Sequence, residues 1–263
     1  LAHFLLGLIA SALGAVAVPA ILKPDFAAVT FLALAAQQFR EIRNMERRTL
    51  ESLERSELVK RGLDYIEGIA RTFEARNYLV MGTAFATSLA VQFGGLITGV
   101  IIAFLALLIS LHFMSGEVIG DICDVVPASL TFKGPILMVD EIGIMNVGLK
   151  SMRDKILKDG LAVKIKPRDG NARAAVHDIG QRNAIAFTAA VIVGTRKDVD
   201  IPEFTPLARK NPDTGEVGLY ILPVEKDIAQ LIAAVKLTPV LESARSKPLK
   251  AGLTIKAARK KVE

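Results

Sequence analysis

The sequence predicts an α-helical membrane domain joined to a small C-terminal α/β domain. Three observations predict it. The stretch from Tyr78 to Gly116 carries no charged residue, where a bilayer span needs about 20 residues and a soluble core helix fewer. A second uncharged stretch runs from Leu1 to Leu22. From Gly134 onward, short apolar strands alternate with helices, the order of an α/β domain.

Composition agrees with that division. The chain has 263 residues, 51% of them hydrophobic, and a mean hydropathy of +0.40. That average mixes two apolar regions with two polar ones. The chain begins at Leu1 rather than Met, so an upstream segment is expected. Cys123 is the single cysteine, which excludes an internal disulfide framework and suits a reducing compartment. A net charge of +6 favours nearness to an anionic leaflet over nucleic-acid binding. With three tyrosines, no tryptophan and no basic-aromatic interleaving, nucleic acid is not an expected partner.

Residues 1–39 form the N-terminal membrane part. Leu1 to Leu22 is a spanning candidate, and its small residues Gly7, Ala10, Ala12, Gly14 and Ala17 admit a close helix neighbour. A cleaved signal peptide is the alternative, without a basic n-region to support it. Lys23-Pro24-Asp25 ends the segment. Phe26 to Ala36 is too short to span alone and is expected to open a second helix that runs into the polar stretch.

Residues 40–77 are a charged helical connector with nine Lys/Arg and eight Asp/Glu. Ile42, Met45 and Leu53 follow helical spacing, as do Leu63, Ile66, Ala70 and Phe73. Glu51–Arg55 and Glu67–Arg71 sit at i,i+4. Gly62 is the natural break between two helices. Nine basic residues in one short loop place it in the cytoplasm by the positive-inside rule.

As one helix, the run at 78–116 would be about 60 Å long, twice the hydrocarbon thickness. Gln92-Phe93-Gly94-Gly95 is its one turn-like spot, since paired glycines tolerate a tight reversal. The reading is a helical hairpin whose first leg starts near Thr72, with Arg76 snorkelling to the interface. A single tilted span is the rival. A hairpin returns residues 117–242, the soluble α/β domain, to the cytoplasm. Its elements are a strand at Ile136–Val139, a helix at Ile142–Lys158, a strand at Leu161–Lys166 and one long helix at Asn171–Gly194. After a turn at Asn211–Gly215 come a strand at Val217–Leu222 and a helix at Glu225–Lys236. Residues 243–263 are a basic tail, expected to be disordered.

Residues Tyr65 to Ala70 read Tyr-Ile-Glu-Gly-Ile-Ala. This hexapeptide resembles the signature of the YIEGIA family, membrane proteins of endospore-forming Firmicutes. So do FLALAAQQFREIRNMER at Phe31–Arg47, RTFEARNYL at Arg71–Leu79 and DIPEFTPLARKNPDTGEVG at Asp200–Gly218. The resemblance covers nearly the whole chain. It implies an integral membrane protein used in sporulation, with a longer N-terminus and other proteins of the sporulating cell as partners. It carries no reaction with it.

Candidate chemistry centres on carboxylates. If the second leg continues as a helix, Glu117, Asp121 and Asp124 share one face. Clustered carboxylates raise one another's pKa, the condition for acid–base work or cation binding. Asp121 or Asp124 with Asp140 is therefore a candidate catalytic dyad of the aspartyl-protease kind. The Gly-x-Gly-Asp form of intramembrane aspartyl proteases is absent, with Val118-Ile119-Gly120-Asp121 in its place. A helix leaving the membrane with a solvated acidic face explains the same residues. Asp140-Glu141 follows a strand, where α/β active sites lie, but carboxylates also start helices. His112 is a polar residue inside the second leg, and His177-Asp178 lacks a nucleophile at relay spacing. There is no glycine-rich phosphate loop and no Cys/His metal spacing, so neither cofactor nor metal is expected. The first reading is a membrane scaffold that binds proteins. The alternative is a membrane-associated hydrolase using Asp121, Asp124 or Asp140.

Overall fold

The computed structural model describes residues 2–22, 26–114, 116–197 and 201–245. The side chain of His112 and the tail from 246 onward lie outside the described residues. The chain divides into two compact units: Leu1–Leu50 with Ile69–Gly116, and Glu51–Gly68 with Glu117–Glu263.

The first unit is built from α1 (Ala2–Leu22), most of α2 (Phe26–Glu54) and most of α3 (Leu63–Met114). Two stretches are long and apolar enough to cross a membrane: Phe4–Leu22, of mean hydropathy 2.3, and Leu63–Leu111, of mean hydropathy 2.5. As expected, Phe26–Ala36 opens a helix that continues into the charged stretch. That helix ends at Glu54, and the next begins just after Gly62, whose φ is +85°. Within α3 the helix breaks at Gly95, with φ 78° and ψ 179°. A Cβ at Gly99 would overlap Val91 Cγ2, although residues eight apart on a straight helix are about 12 Å apart. The chain therefore folds back on itself at Gly94-Gly95. α1 packs against the leg before the break. A Cβ at Gly14 would overlap the Met81 carbonyl, and Ser88 Oγ donates to the Ala15 carbonyl at 2.9 Å. Ala10 and Leu13 are buried beside Ile42, with Phe73 and Met81 against them. Of the small residues in α1, Gly14 and Ala10 make this contact, whereas Gly7 faces open space.

The second unit has three layers. Its middle layer is a four-stranded sheet in the order β1-β5-β7-β6, formed by β1 (Cys123–Pro127), β5 (Leu161–Pro167), β7 (Val217–Ile221) and β6 (Leu207–Lys210). Every pairing is antiparallel. One face carries helices: α4 (Ile119–Ile122), α6 (Gly170–Val176), α7 (Ile179–Val193) and α8 (Ile228–Leu237). Val163, Ile165, Leu219 and Ile221 of the sheet meet Val176, Ile185, Ala189, Leu231 and Val235 of the helices there. The other face carries a meander of β2 (Leu130–Lys133), β3 (Ile136–Val139) and β4 (Ile142–Asn146), closed by α5 (Lys150–Asp159). Ala162, Tyr220 and Leu222 meet Leu137, Val139, Ile144 and Ile156 on that side. Gly218 lets the two sheets close, since a Cβ there would already press on Val139 Cβ at 3.1 Å.

Several expectations need correction. The α/β domain is a stack of antiparallel sheets and helices rather than an alternating β-α unit. The acidic stretch after Gly116 does not continue as a helix. α4 lasts four residues, and Cys123 opens a strand whose ladder to β5 buries Cys123 and Val125 and exposes Asp124. Ile142–Asn146 is a strand, not the start of a helix, because it pairs with β3 and alternates buried and exposed residues. The helix predicted at Asn171–Gly194 is two helices. The Asp178 side chain accepts from Gln181 N and starts the second, which leaves Ile179 exposed at its first turn. The tail expected from Ser243 is ordered at its start, where a short helix, α9, spans Glu242–Arg245.

The Tyr65–Gly68 signature packs on α7. The Tyr65 ring meets Phe187 edge-on at 6.5 Å between centroids, and the Arg61 guanidinium lies 4.4 Å from the centre of the same ring. Gly180 leaves room for Asp64, whose Cβ would be 2.9 Å from any side chain added there.

Candidate functional site

Each of the three candidate aspartates has its own local partner. Asp121 Oδ2 accepts from Val118 N at 3.0 Å and holds the start of α4. Asp124, on β1, receives both Nε and Nη2 of Arg168, at 3.0 and 2.8 Å. Arg168 Nη1 also donates to the Asp121 carbonyl at 2.6 Å, so one arginine ties α4 to the first strand. The carboxylates at 121 and 124 do not share a helix face.

Asp140 occupies the two-residue turn between β3 and β4 at φ 49°. Its Oδ1 accepts from Ser129 N and Oγ, both at 2.9 Å. Its Oδ2 lies 3.1 Å from Lys164 Nζ, which also meets Glu141 at 3.2 Å and Glu216 at 3.8 Å. Burial alone would raise the Asp140 pKa. The hydrogen bonds from Ser129 and Lys164 outweigh it and hold the carboxyl below its ordinary range. The hydrogen bond to Asp140 raises the pKa of Lys164 in turn, despite its burial. The carboxyl at 140 is thus an ionised partner in a local network, and its place is a hairpin turn, not the C-terminal edge of a parallel sheet.

A different cluster lines a cleft of about 400 Å³ at the junction of α6 and α7, edged by Ala174, His177, Asp178, Ile179, Arg182 and Lys210. Antiparallel pairing brings Lys210, at the end of β6, to this junction, and the Asn211–Gly215 turn closes beside it. There Asn211 Oδ1 accepts from Asp213 N at 2.9 Å. Arg173 Nη2 donates to the Pro212 carbonyl at 2.6 Å, and the guanidinium crosses Gly215, whose φ of +81° and bare Cα allow it. His177 Nε2 lies 3.0 Å from the Gly215 carbonyl; that acceptor places the neutral ring's proton on Nε2. Burial lowers the His177 pKa, the Gly215 carbonyl opposes this, and Lys210, Arg173 and Arg182 lower it further. Burial also lowers the pKa of Arg182, opposed by Asp178 and aided by Arg209. Among the described residues, the Arg182 guanidinium makes no hydrogen bond or ion pair. The cleft is a converging set of cations suited to receiving an anion.

The sequence puts His177-Asp178 on one long helix without a nucleophile at relay spacing, and nothing local singles out Arg173, Arg182 or Lys210. The usable signals were Asp178 as a helix cap and the Asn211–Gly215 turn, which fixes where Lys210 ends up. Among the described residues no group of three or more His, Cys, Asp or Glu could hold a metal ion.

Fold and site define a two-unit protein: an apolar helical unit, and a three-layer unit of antiparallel sheets and helices with a basic cleft. The chain belongs to the YIEGIA protein family, whose profile matches residues 1–251. It is 42% identical over 246 residues to the uncharacterized protein YphB of Bacillus subtilis (strain 168), covering 94% of this chain and 83% of that one. No solved structure matches it.

Proposed function

We propose that the chain is an integral membrane protein whose α1 and folded-back α3 enter the bilayer. In this reading the three-layer unit works outside the bilayer as a protein-interaction scaffold of the sporulating cell. One observation carries the membrane part. The apolar window of α3 is only 6% buried within the chain. Leu96, Ile97, Val100 and Phe104 are each at least 60% exposed, and a water-soluble protein does not leave so continuous an apolar face bare. Hydrocarbon covers it at no cost in unpaired backbone groups, because the legs are helical. The nine Lys/Arg between 40 and 76 orient the connector to the cytoplasm. Ion pairing of Asp124 and Asp140 supports a scaffold over a hydrolase. Family membership, with a relative in an endospore former, supports the sporulation setting.

Extraction of membranes with alkaline carbonate tests the first claim. The chain stays in the pellet and leaves only with detergent; release by carbonate sinks the integral reading. For the scaffold claim, a deletion strain is complemented with Asp121→Asn, Asp124→Asn and Asp140→Asn. Each restores spore yield if the unit binds rather than cleaves. Loss of spore formation by a variant that accumulates normally would favour the hydrolase.

A further inference from the structure

We propose that the cleft between α6, α7 and the end of β6 is a binding site for a phosphate-bearing anion, with Arg182 as its principal ligand. The argument rests on unequal charge. Arg173, Arg182 and Lys210 stand at or beside the cleft, and Arg209 is close enough to act on Arg182. The one carboxylate in the lining, Asp178, is turned to the helix start, where it accepts from Gln181 N at 3.2 Å. Two cations, Arg182 and Lys210, line the cleft against one carboxylate, with Arg173 and Arg209 near by. Asp178 attracts the Arg182 guanidinium without hydrogen-bonding to it; a half-buried guanidinium so weakly countered is expensive to hold, and a ligand with two negative charges balances this set better than a monocarboxylate.

Geometry adds to charge. The first turn of α7, a helix of 15 residues, borders the cleft through Ile179 and contributes the partial positive charge of its N-terminus. Arg182 lies one turn further along, on the same side as Asp178. Among the described residues no acceptor takes its planar fork, the arrangement that grips phosphate oxygens in pairs. Lys210 adds a mobile point charge from the opposite strand. His177 is held by the Gly215 carbonyl, so its ring reports on the cleft without leaving it. The volume of about 400 Å³ admits a phosphate with a small organic group attached. Both a soluble phosphate ester and a phospholipid headgroup present this chemistry. The inference stands apart from the membrane reading, since it uses only residues of the three-layer unit.

The test uses the full chain in nanodiscs of phosphatidylcholine, in low-salt buffer. Inorganic phosphate is titrated while the His177 ring resonance is followed by NMR. A parallel arm exchanges part of the phosphatidylcholine for phosphatidic acid. Saturable movement of the His177 signal toward the protonated position is expected in at least one arm. Response to inorganic phosphate identifies a soluble ligand, and response to phosphatidic acid alone identifies a headgroup. Arg182→Gln should weaken the response by about tenfold or more, and Arg182→Lys by less, because charge survives and the fork does not. Lys210→Ala, at an exposed position, serves if the Arg182 variants do not accumulate, and it should weaken binding several-fold. No saturable response in either arm overturns the proposal, as does wild-type affinity in both Arg182→Gln and Lys210→Ala.

Discussion

Lys164 shows how a single residue organises this unit. It projects from β5 toward Asp140, Glu141 and Glu216, tying the meander to the main sheet. Asp140 answers it from a left-handed turn position that Asn tolerates and Ala does not. Asp140→Asn keeps the turn and the acceptor for Ser129 but loses the charge, and should destabilise the full chain by about 1 kcal/mol at pH 7 in detergent denaturation. Asp140→Ala adds backbone strain and a lost acceptor, for about 2–3 kcal/mol in all. The pH dependence follows in sign. The folded pKa of Asp140 lies below its ordinary value, so its contribution is complete above about pH 4 and fades as pH falls through the folded pKa. Asp140→Asn should therefore shrink the stability gap between wild type and variant as the solution is acidified; an unchanged gap contradicts the ion-pair account. Asp124 differs. Both side chains of the Asp124–Arg168 pair are exposed, and water screens the pair, so Asp124→Asn should leave the denaturation midpoint unmoved. Neither role was legible in sequence. Spacing puts Asp121 and Asp124 on one helix face only if a helix is there, and Cys123-Asp124-Val125 alternates in burial as a strand does. The cleft was harder still to read, because Arg173, Arg182 and Lys210 are brought together by packing rather than by a local motif.

At the scale of elements, the sequence was clearest where one periodicity ran without competition. β3, β5, β7 and α8 lie where alternating or helical patterns put them, and Gly62 and Gly95 mark breaks because their backbones take positive φ. It was least clear where a strand sat beside a helix with no strong punctuation, as in Ile142–Asn146 followed by α5, or where a cap divided a long apolar run, as at Asp178. Direction was lost as well. Alternating strands and helices imply a parallel sheet, but the long excursion through β2, β3, β4 and α5 returns the chain beside β1 in the opposite sense. The helical unit makes a sharper prediction. α1 approaches α3 at Gly14, where backbone stands against backbone, so Gly14→Leu should cost about 1–3 kcal/mol by overpacking. It should also abolish a disulfide between Ala15→Cys and Ser88→Cys, which join across the same contact. Gly7→Leu faces open space and should leave that crosslink intact. Equal loss in both variants would show that leucine anywhere in α1 disturbs the unit, and that Gly14 has no special place.

At the scale of the whole molecule, the proposed membrane reading poses the question of which side of the bilayer each polar part occupies. A charge-free run that folds back at Gly95 delivers the chain to the side it left, so the connector and the three-layer unit should share a compartment. In the proposed membrane reading the positive-inside rule favours the cytoplasm for that compartment: nine Lys/Arg lie between 40 and 76, and 23 more lie from Glu117 onward, against 18 Asp/Glu there. Cys123, the only thiol, looks like a ready-made reporter. It is fully buried, and burial pushes its pKa up to about 12, with Arg168 opposing only in part. A thiol so placed has almost no thiolate at neutral pH and no path for a reagent. Native Cys123 should therefore resist maleimide in intact and permeabilised cells alike, and react once the chain is denatured. That silence is useful, because single cysteines can be added without removing the native one. Asn44→Cys marks the connector, and Lys133→Cys, at the exposed end of β2, or Asp213→Cys, in an exposed turn, marks the three-layer unit. With an impermeant maleimide, all three should label only after permeabilisation. If Lys133→Cys and Asp213→Cys label in intact cells while Asn44→Cys does not, the run at 78–116 crosses once, and the reversal at Gly95 lies within or beyond one leaflet. The basic cleft then faces the outer compartment, where soluble phosphate esters are scarcer and an outer-leaflet headgroup becomes the ligand to try first.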